Sequence, residues 1–147
     1  MTKITENEVE ELALDFFKEQ GYKVLNGLEI SPGGSKQERS DFREVVLKER
    51  LLKSTEKLNP EIPKGAIEDA FKKVIRVSSP NQIVDNEQFH KLLVEGVPVS
   101  FRKGSEIKHD FVNLVDFEHP ERNEFLAINQ FTIIKEKYNR RPDIFYL

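Results

Sequence analysis

Apolar residues in the first half of the chain recur at helical spacing, and in the second half they follow the shorter period of strands. Thr5 followed by Glu8 predicts a capping box at a helix start. Val9, Leu12, Ala13 and Phe16 form the stripe of that first helix, and Gly21 ends it. A mobile loop is expected at Pro32-Gly33-Gly34-Ser35. A second helix is expected after Ser40 or Asp41, carrying Phe42, Val45, Val46 and Leu52. A third begins near Pro63 with Ala66, Ile67, Ala70, Phe71, Val74 and Ile75 on one face. A short fourth follows Asp85 or Asn86 and buries Phe89, Leu92 and Leu93.

After Gly96 the period changes. Val97 to Arg102 and Ile107 to Phe117 read as two strands joined by a turn at Lys103-Gly104-Ser105. Glu124 to Lys135 is apolar on both alternating faces, the pattern of a central strand covered on both sides. A last strand, Asp143 to Leu147, follows the polar turn Tyr138-Asn139-Arg140. The expected fold class is α/β or α+β, a sheet flanked by helices. The expected organisation is a single domain over 1–147, helical over 1–95 and strand-rich over 96–147.

Composition narrows the classes. The chain of 147 residues is 37% hydrophobic and 33% charged, the balance of a globular protein with a real core. It has no cysteine, which removes disulfides, thiolate metal sites and thiol nucleophiles. No apolar run is long enough for a membrane span and the N-terminus is too polar for a signal peptide, so a cytoplasmic protein is expected. The net charge of −3 argues against a generally basic nucleic-acid binder. One local basic strip runs Lys135-Glu136-Lys137-Tyr138-Asn139-Arg140-Arg141, and alone such a strip is more often a solvated turn than a phosphate-binding surface.

His90, His109 and His119 lack the spacing of a zinc site, and Gly33-Gly34 lacks the Lys-Ser or Lys-Thr of a phosphate loop, so no ATP site is visible. Two acids stand out by position. Plotted at about 100° per residue, Glu10 lies between Phe17 and Leu14 on the flank of the first helix's apolar stripe, whereas Glu11 faces water beside Asp15 and Lys18. A carboxylate at an apolar flank calls for a partner or a metal, although a boundary glutamate reaching solvent has the same placement. Asp143 follows Pro142 at the start of an apolar strand, just behind the basic turn. As a dipeptide it is no more than an aspartate ending a turn.

Longer strings resemble a family. The run Asn123-Glu124-Phe125-Leu126-Ala127-Ile128-Asn129-Gln130-Phe131-Thr132-Ile133-Ile134, followed by Tyr138-Asn139-Arg140-Arg141-Pro142-Asp143-Ile144, resembles the strand–turn–strand that leads into the catalytic motif of type I restriction enzyme R (motor) subunits. Glu38 to Leu47 and Phe89 to Val99 are similar to earlier parts of the same nuclease region. The resemblance implies a PD-(D/E)xK restriction-endonuclease-like mixed sheet flanked by helices, incomplete at its C-terminus, that cuts duplex DNA with Mg²⁺. It implies that Asp143 is the motif's metal-binding aspartate and that Glu10 is the assisting acid of the first helix. Arg140 and Arg141, by charge and placement, are candidate phosphate-positioning residues. ATP is expected only in a translocase part that these residues lack, and the expected partners are duplex DNA and the methylation and specificity subunits. No acid-x-lysine pair follows Asp143 before Leu147, so these residues alone are expected to be inactive. The alternative is a non-catalytic DNA-binding or subunit-docking module.

Overall fold

The computed structural model describes residues 4–76, 82–135, 138–142 and 144–146. The chain is mixed α/β and divides into two compact units, Met1–Lys48 with Glu124–Leu147, and Glu49–Asn123.

In the first unit, α1 (Glu6–Glu19) starts at the expected capping box: the Thr5 backbone N–H donates to Glu8 Oε2 at 2.7 Å and the Glu8 N–H donates to Thr5 Oγ1 at 3.4 Å. It ends as the chain turns left-handed at Gly21, with φ of +89°. Its stripe sits one step round from expectation. Glu10, Ala13, Leu14 and Phe17 are half-buried, while Val9, Leu12 and Phe16 are exposed. Phe17 packs edge-on against Tyr22, which in turn meets Phe125 at the foot of the sheet.

Three strands form the sheet in the order β1 (Lys23–Asn26), β4 (Leu126–Asn129), β7 (Ile144–Tyr146). β1 runs parallel to β4, and β7 antiparallel. The apolar run was expected to make a central strand, and β4 is one, with Leu126, Ala127 and Ile128 all buried. It stops sooner than expected. Gln130 adopts a φ of +52°, and the chain resumes as β5 (Ile133–Lys135), paired antiparallel with β6 (Tyr138–Arg140). Ile30, Leu47, Leu126, Ile128 and Phe131 form this unit's core, with Leu25 and Ile133 against it. Ile30 closes the one-turn helix α2 (Gly27–Ile30), whose N–H groups at Leu28 and Glu29 are capped by Asn26 Oδ1 at 2.9 and 3.4 Å.

No helix starts at Ser40 or Asp41. Side-chain bonds to the backbone accompany a local turn there instead. Asp41 Oδ1 accepts from the Arg43 N–H at 2.7 Å, Glu44 Oε2 accepts from the Ser40 N–H at 2.8 Å, and the Arg39 guanidinium donates to the Glu44 carbonyl at 3.3 Å. The helix begins later, as α3 (Lys48–Leu58).

The second unit holds α4 (Lys64–Ile75), α5 (Gln82–Glu95) and the antiparallel pair β2 (Val97–Lys103) and β3 (Glu106–Val112), with most of α3. α4 starts just after Pro63, near where expected, and α5 begins earlier than Asp85. Ala66, Ile67, Ala70 and Val74 pack with Val97, Val99 and Val112, the two periods meeting in one core. Asn59 ties the end of α3 to the chain after β3: its Nδ2 donates to the Thr55 and Asn113 carbonyls and its Oδ1 accepts from the Asn113 N–H, all at 2.8 Å. Among the described residues no helix is long and apolar enough to cross a membrane.

Candidate functional site

Glu10 lies on the inward face of α1 and reaches the C-terminal end of β4. Its Oε1 accepts from Asn129 Nδ2 at 2.9 Å and its Oε2 from Gln130 Nε2 at 2.9 Å. All three side chains are half-buried. The helical plot that turned Glu10 inward and Glu11 outward agrees with this geometry, since Glu11 is exposed.

The backbone around the acid is tightly packed. A Cβ on Gly27 would run into the carbonyl oxygens of Asn129 and Gln130, so only glycine lets the start of α2 approach the end of β4 this closely. Below that contact, Arg39 crosses the interior at 2% exposure. Its Nη2 donates to the Thr132 carbonyl at 2.7 Å and to Ser31 Oγ at 3.1 Å, and Ser31 Oγ donates to the Gly27 carbonyl. The guanidinium carbon lies 3.9 Å from the centre of the Phe131 ring, a cation–π contact. Burial pushes the Arg39 pKa down, opposed by Glu44, yet a guanidinium stays charged at any working pH.

Asn129 pairs across the sheet with Ile144, so the end of β4 that holds Glu10 is also where β7 begins. Asp143, one residue before Ile144 in the sequence, lies outside the described residues. Arg140 ends β6, in register with Ile133, and is exposed, as is Arg141. Of the histidines, His109 Nδ1 lies 2.8 Å from Ser100 Oγ on the β2–β3 pair, and His119 Nδ1 lies 3.5 Å from Asp116 Oδ1. The His119 backbone N–H, more than any other group, holds the Asp116 carboxyl below its ordinary range. Among the described residues no three His, Cys, Asp or Glu converge closely enough to hold a metal ion.

The inward placement of Glu10 was legible in the sequence; its two amide partners were not singled out. The signal available was the amide pair Asn129-Gln130 interrupting a largely apolar run from Phe125 to Ile134.

The sequence pattern described as type I restriction enzyme R protein N terminus matches residues 3–147. The chain is 35% identical over 142 residues to the type I restriction enzyme HindI endonuclease subunit of Haemophilus influenzae, covering 96% of this chain and 14% of that protein. It is 33% identical over 139 residues to a protein of Methanocaldococcus jannaschii provisionally named as the type I restriction enzyme MjaIXP endonuclease subunit, covering 92% of this chain and 13% of that one. It therefore spans only a small part of the length of either relative. No solved structure matches it. With its match running from residue 3 to residue 147, the chain belongs to the type I restriction enzyme R protein family, as an N-terminal region of such a subunit.

Proposed function

We propose that this region supplies part of a PD-(D/E)xK site for Mg²⁺-dependent cleavage of duplex DNA by a type I restriction complex. The observation that carries the reading is the Glu10 carboxylate, half-buried and gripped by two amides at the end of β4, beside the start of β7. Asp143 and Glu10 would hold the metal ion. An ionised carboxylate offers about four lone-pair sites, and the amides occupy one on each oxygen, so Glu10 fits a hard cation that takes oxygen ligands. The remaining ligands would come from Asp143 and from residues beyond the described ones. When bound, Mg²⁺ polarises the scissile phosphate and lowers the pKa of the attacking water. Arg140 and Arg141 would position DNA phosphates. ATP-driven translocation and the choice of DNA sequence would belong to other parts of the complex, including the methylation and specificity subunits. The 147 residues by themselves are expected not to cut DNA, because they contain no acid-x-lysine pair after Asp143.

The test places Glu10→Gln or Asp143→Asn in an R subunit carrying this region, assembled with its partner subunits. Each substitution is expected to lower DNA cleavage by at least about 100-fold with ATP hydrolysis unchanged. Cleavage at the parental rate by Glu10→Gln would overturn the role of that acid. A second reading, a docking module without catalysis, is favoured by the exposed Val9, Leu12 and Phe16 on α1. Parental cleavage by both variants, with complex assembly lost on Phe16→Ser, would favour it.

A further inference from the structure

We propose that Asn129 and Gln130 are positioning residues for Glu10, and that the left-handed backbone at Gln130 serves that grip. The inference rests on Glu10 being an acid of the cleavage site.

Successive residues of a strand project to opposite faces. Asn129 is the last residue of β4, in register with Asn26 on one side and Ile144 on the other. A continuing strand would turn the next side chain away from the face that Asn129 uses. Both amides nevertheless meet the same carboxylate, each on a different oxygen at 2.9 Å. This coincides with the φ of +52° at Gln130, the one positive φ outside glycine among the described residues.

Glycine, asparagine and aspartate enter that region most readily. A break needed only to redirect the chain towards buried Phe131 would be served by any of them. Glutamine adds reach: an amide two methylenes from the backbone, here spanning to a helix 120 positions earlier in the chain. With one donor on each oxygen, the carboxylate cannot rotate about its last torsion without breaking a hydrogen bond. Its remaining lone pairs are then aimed in one direction before any divalent cation arrives, which is how outer partners of a metal-binding carboxylate act.

Two variants separate this role from simple cross-bracing. Gln130→Gly keeps the left-handed backbone and removes the amide. In the 147-residue chain it is expected to leave the melting temperature within about 3 °C of the parent. In the assembled restriction complex it is expected to raise the Mg²⁺ concentration for half-maximal cleavage by about 10-fold to 100-fold, with ATP hydrolysis unchanged. In the 147-residue chain labelled with ¹⁵N, Glu10→Gln is expected to shift the side-chain amide resonances of both Asn129 and Gln130. Parental Mg²⁺ dependence in Gln130→Gly, or amide resonances unmoved by Glu10→Gln, would overturn the proposal. If Glu10→Gln abolishes cleavage while Gln130→Gly is parental, the positioning role alone falls. If Glu10→Gln itself cleaves normally, the underlying reading of Glu10 falls with it.

Discussion

Arg39 carries a full charge into the interior of the first unit, where its fork bonds the Thr132 carbonyl and Ser31 and its flat face lies on Phe131. Among the described residues its Nε is buried with no hydrogen-bond partner. A lysine would keep the charge but lose the fork and the stacking. Arg39→Lys is expected to cost about 2 kcal/mol, read as a lower urea midpoint with an unchanged slope; an unchanged midpoint would show that the network adds little. Beside it, Glu44 is held down at about 2 from 4.5, first by the hydrogen bond from Lys48 and then by the Ser40 N–H. Because the folded state lowers this pKa, the contribution is complete above about 4.5 and fades as pH falls towards 2. Glu44→Gln is therefore expected to flatten the loss of thermal stability across that acid window, and a variant as acid-sensitive as the parent would refute the assignment.

The elements differed in how openly the sequence declared them. The capping box of α1, the apolar face of α4 and the burial of β4 on both faces rest on local pattern, and all three are present. Residues 40–47 looked helical because Phe42, Val45 and Val46 have helical spacing. There the side chains of Asp41, Glu44 and Arg39 bond backbone groups around a turn, Arg39 from a buried position that spacing does not reveal. β1 escaped notice because four residues carry too little period, and its partner β4 is remote in sequence. The break at Gln130 was invisible for a related reason: glutamine signals no left-handed turn, and the acid its side chain meets lies on α1, remote in sequence. At the candidate site, the orientation of Glu10 could be read from a helical plot, whereas its amide clamp required the fold. Gly27 supplies the element-scale test. Gly27→Ala would push α2 away from the end of β4, because the atoms in its way are backbone carbonyls. The expected cost is about 3 kcal/mol, measured by urea denaturation, together with loss of the Asn129 and Gln130 amide shifts that report on Glu10.

At the scale of the whole molecule, a net charge of −3 gives DNA no general attraction, so any binding must depend on local charge. Arg140 and Arg141 are exposed together at the end of the β5–β6 pair. If each meets one phosphate, replacing both with alanine should reduce the slope of log affinity against log salt by about 2. An unchanged slope would place the phosphate contacts elsewhere.

The clamp on Glu10 also bears on how the chain reaches its fold. It joins residues 119 and 120 positions apart, and the parallel pairing of β1 with β4 closes nearly the same loop. The second unit, Glu49–Asn123, is continuous and lies wholly inside that loop, with its β2–β3 pair closed by a tight turn at Gly104. Closing a long flexible loop carries an entropic cost that a folded insert reduces, and local contacts form faster than remote ones. The order of events is thus written into the connectivity: the amides of β2 and β3 should gain protection in pulsed hydrogen exchange before those of β1 and β4, and the acid-holding end of the sheet should be among the last parts of the chain to form.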